Sequence, residues 1–126
     1  MIVGTGVDIA EVGRIEGAVK RFGDRFLRRV FTPAEIRYCM GKPNAAERLA
    51  ARFAAKEAGM KAIGTGLRHG VTWQDVEVLR LPGQRPALQF HGKAAKFAAL
   101  LGCKRTHLSL SHTKEQAIAH VILESD

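Results

Sequence analysis

Cysteine is scarce in this chain. There are two in 126 residues, Cys39 and Cys103, far apart and without a Cys-x-x-Cys spacing. That argues against a disulfide framework and against a thiolate zinc site. Both read as reduced packing residues, which suits a cytoplasmic protein. Aromatic residues make up 6% and are not interleaved with lysine and arginine, so a base-stacking surface for single-stranded nucleic acid has little support. No apolar run approaches the ~18 residues of a membrane span. The opening Met1–Gly6 has no charged stretch followed by a long apolar one, so no signal peptide is expected. Repeats, low-complexity tracts and linkers are missing as well. Gly4-Thr5-Gly6 lacks the third glycine of a dinucleotide fingerprint, and Gly64-Thr65-Gly66 is no Walker A loop.

The residues present describe one globular domain, 1–126. Hydrophobic residues account for 46%, and a chain of this length buries a core without staples. The net charge of +8 points to an anionic partner or substrate. Nucleic acid, an acidic protein, a membrane surface and a phosphorylated cofactor all satisfy it, and charge does not choose among them.

The pattern along the chain is α+β. Residues 2–9 read as a strand ending near Asp8. Val12, Ile15, Val19 and Phe22 recur at helical spacing. Thr32-Pro33-Ala34-Glu35 has the form of a helix start, with Thr32 as N-cap, Pro33 in first position and Glu35 closing a capping box. A longer helix is predicted from about Ala45 to Ile63, stopping at Gly64. Strands follow at Trp73–Leu79 and Ala87–Phe90 around a Pro82-Gly83 turn. A helix at Lys93–Leu101 and strands at Thr106–Ser111 and Ala117–Leu123 complete the order. Helices packed on a mainly antiparallel sheet are the expected architecture.

Three segments carry the candidate chemistry. On the long helix, Leu49, Phe53 and Met60 define an apolar stripe. Glu57 and Lys61 lie one turn apart on one edge of it, and Lys56, one turn from Arg52, falls near the other. Ordinary i,i+4 neighbours would explain these charges, the Glu57–Lys61 pair being a salt bridge worth ~0.3 kcal/mol. Gly59 is unusual, because mid-helix glycine costs ~1 kcal/mol. Asp8, at the end of the first strand, could cap the next helix or join Glu57 around one hard cation. Magnesium takes one or two carboxylates and fills its remaining sites with water and phosphate. Finally, Ser109-Leu110-Ser111-His112-Thr113-Lys114 gathers groups able to bond a phosphate where a strand meets a turn. A Ser111–His112 nucleophile pair is disfavoured, since adjacent strand residues point to opposite faces.

In this order and in a chain of this length, GVDIAEVGR (6–14), RFAAKEAGMKA (52–62) and SLSHTKEQA (109–117) resemble the short, bacterial-type holo-acyl-carrier-protein synthases of the 4'-phosphopantetheinyl transferase superfamily. The resemblance covers most of the chain; Pro82–Leu101 matches only loosely. It implies the phosphopantetheinyl transferase fold and a trimer with active sites at subunit contacts. The implied reaction is Mg²⁺-dependent transfer of 4'-phosphopantetheine from coenzyme A to a serine of an apo acyl carrier protein, in fatty acid biosynthesis, with release of 3',5'-ADP. Asp8 and Glu57 would hold the metal. Lys61 would stabilise or protonate the departing nucleotide, and the general base is open between Glu57 and a water on the cation. Arg52, Lys56, His112 and Thr113 would hold the phosphate and adenine end of coenzyme A. Gly64 and Gly66 would let backbone approach the cofactor, and Pro86 would line the adenine pocket. Arg14, Arg21 and Arg25, on the basic segment between Arg14 and Arg29, would meet the acidic carrier. Gly59 beside Met60 departs from relatives that carry bulkier residues there.

Two other classes of function compete with this one. A small basic RNA- or DNA-binding module would bind with steep salt dependence and ignore coenzyme A. A hydrolase built on His112 would not need Asp8 or Glu57.

Overall fold

The computed structural model describes all 126 residues. Five strands and five α-helices follow in the order β1 (Ile2–Glu11), α1 (Val12–Phe22), α2 (Asp24–Val30), α3 (Pro33–Met40), α4 (Ala45–Ile63), β2 (Val76–Leu79), β3 (Ala87–Phe90), α5 (Gly92–Leu100), β4 (Arg105–His112) and β5 (Gln116–Glu124). One antiparallel sheet has the order β1-β5-β4, and β2 and β3 form a separate antiparallel hairpin. The expected α+β class holds, with three adjustments. Gly23, at φ 55° and ψ −131°, breaks the basic segment into two helices, so Arg14 and Arg21 lie on α1 and Arg25 on α2. Trp73–Asp75 is a turn of 3-10 helix rather than the start of a strand. The sheet is split in two.

The capping box at Thr32 forms as the sequence suggests. Thr32 Oγ1 accepts from the Glu35 N–H at 3.2 Å, and the Thr32 N–H donates to Glu35 Oε1 at 2.8 Å. Such a cap is worth ~1 kcal/mol.

Helix α4 lies across the inner face of the three-stranded sheet, chiefly over β1 and β5. Strand alternation sends Gly4, Gly6, Asp8 and Ala10 toward it and Thr5, Val7 and Ile9 outward, and the register pairs Asp8 with Ala119 and Leu110 with Ala119. Gly4 and Gly6 set the approach. A Cβ on Gly6 would sit 2.0 Å from the carbonyl oxygen of Ala58, and one on Gly4 2.3 Å from that of Ala62. Backbone on both sides leaves nothing to move aside. Gly6→Ala should therefore cost roughly 3 kcal/mol, a fall in Tm of roughly 10 °C, and also lift Asp8 away from α4. Calorimetry together with the transfer rate would check both. A Tm within two or three degrees of the parent would refute the contact.

Gly59 has a similar cause on the opposite side of the helix. A Cβ there would lie 2.9 Å from Val76 Cγ1 and 3.1 Å from Leu88 Cδ2, so the mid-helix glycine admits the β2–β3 hairpin. The outer face of the main sheet is open, and Val7, Ile9 and Ile118 form an exposed apolar patch on it among polar residues. No helix is long and apolar enough to cross a membrane.

Candidate active site

Asp8, Glu57 and Lys61, 49 to 53 residues apart in sequence in two of their pairings, converge because α4 crosses β1 at the glycine gap. Lys61 Nζ donates to Asp8 Oδ1 at 2.8 Å and to the Val7 carbonyl at 3.1 Å. Asp8 therefore does not cap α1, whose N-cap is Glu11 without a side-chain bond. Asp8 and Glu57 line one cleft of about 300 Å³, together with Arg14, Phe26 and Phe53. The Asp8 side chain is 12% exposed and that of Lys61 54%.

The electrostatics of the pair are uneven. Partial burial pushes the Glu57 carboxyl up to about 7, aided by a hydrogen bond with Asp8 and by its charge, while Lys61 and Arg14 pull the other way. Lys61 is shifted upward, first by its hydrogen bond to Asp8, so it stays an ammonium at neutral pH. Lys61 is already paired with Asp8, so the raised Glu57 carboxyl beside it is left short of positive charge. A divalent cation fits that donor set. No group of three or more ligating side chains exists anywhere in the chain, so such an ion would take the rest of its coordination from water and phosphate, as magnesium does.

A second cluster lies on the other flank of α4, over β4. Arg48, Arg52, Arg80, Pro86, Leu110 and His112 line a hollow of about 230 Å³. Arg52 is 4% exposed. Its guanidinium stacks 4.5 Å from the Tyr38 ring centroid, and its Nε is buried with no hydrogen-bond partner. Arg48 is anchored by Nε to Asn44 Oδ1 at 2.9 Å and by Nη1 to the Tyr38 hydroxyl at 3.0 Å. His112 Nδ1 lies 3.3 Å from Glu47 Oε2. A buried guanidinium with an unsatisfied donor beside two further arginines has the chemistry to receive an anion such as phosphate. The carboxylate cleft and this cradle share no residue. Arg52 and Glu57, five residues apart on α4, point about 140° apart around the helix.

Of the residues singled out from sequence, Asp8, Glu57 and Lys61 meet in one place, and Arg52, Pro86 and His112 in another. Gly66 lines a smaller hollow beside Glu57, Lys61 and Leu67. Gly64 is the left-handed C-cap of α4, at φ 80°, a position that needs glycine with or without a ligand. Thr113 Oγ1 accepts from the N–H groups of Glu115 and Gln116, both at 3.1 Å, and closes the β4–β5 turn.

Lys56 requires correction. It does not edge a cleft, and it cannot touch a cofactor. Its side chain and that of Glu35 are both 0% exposed, with Nζ 2.7 Å from Glu35 Oε1. It also donates to the carbonyls of Val76 at 2.6 Å and Trp73 at 3.2 Å. Burial draws its pKa down, and Glu35 opposes that. The sequence-based stripe counted only large apolar residues. Ala50, Ala51, Ala54, Ala55 and Ala58 bury the helix nearly all round and carry Lys56 inside. Sequence reasoning also missed Arg48 and Arg80. Arg48 could have been found, since it stands one turn before Arg52; Arg80 lies in a loop with no motif.

Arg14 sits at the lip of the carboxylate cleft. From there a groove continues through Phe26, which also lines a neighbouring surface hollow of about 380 Å³ with Phe22, Arg25 and Arg29. Arg21 lies over the exposed Phe22 ring, 5.3 Å from its centroid.

Comparison with known proteins places these features in context. Residues 4–121 match the model of the 4'-phosphopantetheinyl transferase superfamily. A holo-[acyl-carrier-protein] synthase of Koribacter versatilis is 67% identical over 98% of this chain and 99% of that protein. The crystal structure of holo-[acyl-carrier-protein] synthase from Neisseria meningitidis superposes with a TM-score of 0.87 at 34% identity, covering 98% of this chain and 99% of that one. A synthase from Bacillus anthracis, solved in complex with CoA (3',5'-ADP), gives 0.81 at 39% identity, covering 100% and 99%.

Proposed function

The chain belongs to the 4'-phosphopantetheinyl transferase superfamily, and from that membership we propose that it moves 4'-phosphopantetheine from coenzyme A to a serine of an apo acyl carrier protein, with Mg²⁺ held by Asp8 and Glu57. The observation that carries this reading is the meeting of two carboxyl groups in one cleft, with the Lys61 ammonium bonded to Asp8.

Each group has a task that its environment suits. The serine oxygen attacks the β-phosphorus, the bond from that phosphorus to the 3',5'-ADP oxygen breaks, and the serine proton passes to Glu57 or to a water. Such transfer asks the protein for in-line positioning and charge neutralisation more than for covalent work. Asp8 and Glu57 would hold the magnesium, which would supply positive charge against the pyrophosphate. Lys61 adds a second positive charge beside Asp8. Its upward-shifted pKa makes it a poor proton donor, and a phosphate leaving group needs none, so its role is electrostatic. Arg52, with its unmet donor, together with Arg48, Arg80 and His112, suits the 3'-phosphate end of coenzyme A, and Pro86 the adenine.

The two half-sites face opposite flanks of α4, so one molecule does not close a site around coenzyme A. We place the cradle of one protomer against the carboxylates of another, in a homotrimer. The exposed apolar patch of Val7, Ile9 and Ile118 is what that assembly would bury, and the trimer needs a mass measurement in solution. The reaction belongs in the cytoplasm, where thiols stay reduced; Cys39 is buried, with its thiol pushed up to about 11.

Incubation with Mg²⁺, coenzyme A and apo carrier should give a carrier heavier by one phosphopantetheine. An unchanged mass under saturating conditions rejects the assignment.

The groove from Arg14 to Arg29 suits the acidic carrier. Arg14 also faces Glu57, so its replacement would disturb both steps. Arg25→Glu is the cleaner test. We expect KM for the carrier to rise about tenfold, with strong salt dependence, while KM for coenzyme A stays unchanged. An equal rise in both would remove the docking role.

A further inference from the structure

One buried charged pair has no part in the reaction as described. Lys56 and Glu35 are completely enclosed, and every polar group on them is matched. The three protons of the ammonium go to Glu35 Oε1, the Val76 carbonyl and the Trp73 carbonyl. Glu35 Oε1 also accepts from the Thr32 N–H, and Glu35 Oε2 accepts from the Val78 N–H at 2.8 Å. The pair thus ties α4 to the start of α3, to the Trp73 turn and to β2. A buried ion pair is poor evidence of stability, because desolvation offsets most of the attraction; its best-attested use is to fix register.

Helix α4 has an unusual need for such a fix. Between Leu49 and Met60 its buried positions, apart from Arg52 and Lys56, are Ala50, Ala51, Ala54, Ala55, Ala58 and Gly59. Methyl groups and hydrogens make shallow ridges, and helices that pack through them have little to oppose rotation about the axis. The facing glycines of β1, Gly4 and Gly6, set how close the helix comes but offer no side chain to key its rotation. Phe53 stacked on Trp73, with ring centroids 4.9 Å apart, is a bulky contact but only half buried. Rotation matters here. With side chains reaching ~5 Å from the axis, a turn of ~10° shifts Glu57 by ~1 Å. A misplacement of that size can cost ~10²-fold in rate. Glu57 is the next residue after Lys56.

We propose that the Lys56–Glu35 pair is a positioning device that fixes the rotation of α4, so that Glu57 and Lys61 are presented to Asp8. Lys56 and Glu35 act through Glu57 and touch no substrate. The inference rests on the transferase reading for its effect on rate, but its effect on cation binding stands apart from that reading.

The test replaces the pair without charge, as Lys56→Met/Glu35→Gln. Methionine keeps the length of the lysine stem, and glutamine keeps a carbonyl for the Thr32 or Val78 N–H. Two readouts are taken well below the variant's own Tm: Mn²⁺ affinity by calorimetry without coenzyme A or carrier, and kcat with KM for coenzyme A. We expect a folded protein whose Mn²⁺ affinity and kcat both fall at least tenfold while KM for coenzyme A moves less than threefold. Mn²⁺ affinity and kcat within threefold of the parent would overturn the proposal and leave the pair a packing feature. Should the double variant lack a cooperative thermal transition, Glu35→Gln, which keeps both carbonyl bonds of Lys56, decides on the same readouts. If the parent protein transfers nothing, the functional assignment falls, and Mn²⁺ affinity alone still decides the role of the pair.

Discussion

Glu57→Gln is expected to lower kcat about 10³-fold while the fold persists, and Asp8→Asn to do the same. Charge neutralisation by a bound cation supplies several kcal/mol of transition-state stabilisation, and each ~1.4 kcal/mol is a factor of ten. Losing either carboxylate leaves one anionic ligand where the pyrophosphate needs a strongly held ion. Neither change should unfold the protein. Glu57 is raised to about 7 by burial and by Asp8, so a neutral amide at that position relieves a strained ionisation. Asp8→Asn gives up its bond to Lys61, whose ammonium is half exposed, and exposed pairs contribute ~1 kcal/mol or less. The measurement is carrier mass against time at saturating Mg²⁺ and coenzyme A, with thermal unfolding as the control. Near-normal turnover in either variant refutes metal ligation there. Activity that survives both losses would point instead to chemistry at His112.

What could be read from sequence was local or motif-borne. The Thr32 capping box, the extent of α4 and its stop at Gly64 depend on neighbours within a few residues, and all three form as expected. That Asp8 would meet Glu57 was a resemblance, and the physical cause emerges only in three dimensions: Gly4 and Gly6 have no meaning until Ala58 and Ala62 are seen against them. The same holds for Gly59 and the β2–β3 hairpin. Lys56 was misplaced for a definite reason. A helical wheel weights bulky side chains, and alanines, which bury a helix without marking a face, moved the boundary between inside and outside. Arg80 reaches the arginine-lined hollow from a loop whose path no periodicity specifies. Division of the site into two flanks of α4 follows from helix rotation between Arg52 and Glu57, about 140° at ~100° per residue, and was latent in the sequence once both roles were assigned.

Cation affinity should fall steeply with acid, because of Glu57. Its carboxyl is raised from an ordinary 4.5 to about 7 in the folded chain. Between those values the unfolded chain has released the proton and the folded one retains it. The folded state therefore binds more protons, and without metal its stability declines as pH rises through that window. This is the reverse of the usual carboxylate behaviour, because burial and Asp8 outweigh the pull of Lys61 and Arg14. Above pH 7 the full penalty is present, and a divalent cation removes it by pairing with both ionised groups. A cation must displace the Glu57 proton to bind below that point. At pH 5.5 only a few per cent of Glu57 is ionised, so apparent Mn²⁺ or Mg²⁺ affinity should be roughly thirty-fold weaker than at pH 8. Calorimetry in buffers of different ionisation enthalpy should find close to one proton released per ion near pH 6 and almost none at pH 8. The cation should raise Tm by several degrees at pH 8 and hardly at all at pH 5.5. An affinity flat from pH 5.5 to 8 would mean that Glu57 titrates as an ordinary glutamate, and the crowding of the two carboxyl groups would be refuted with it. Asp8→Asn separates the causes when Glu57 is titrated without metal: removal of the Asp8 charge should move its carboxyl toward acid, while burial, still opposed by Lys61 and Arg14, remains.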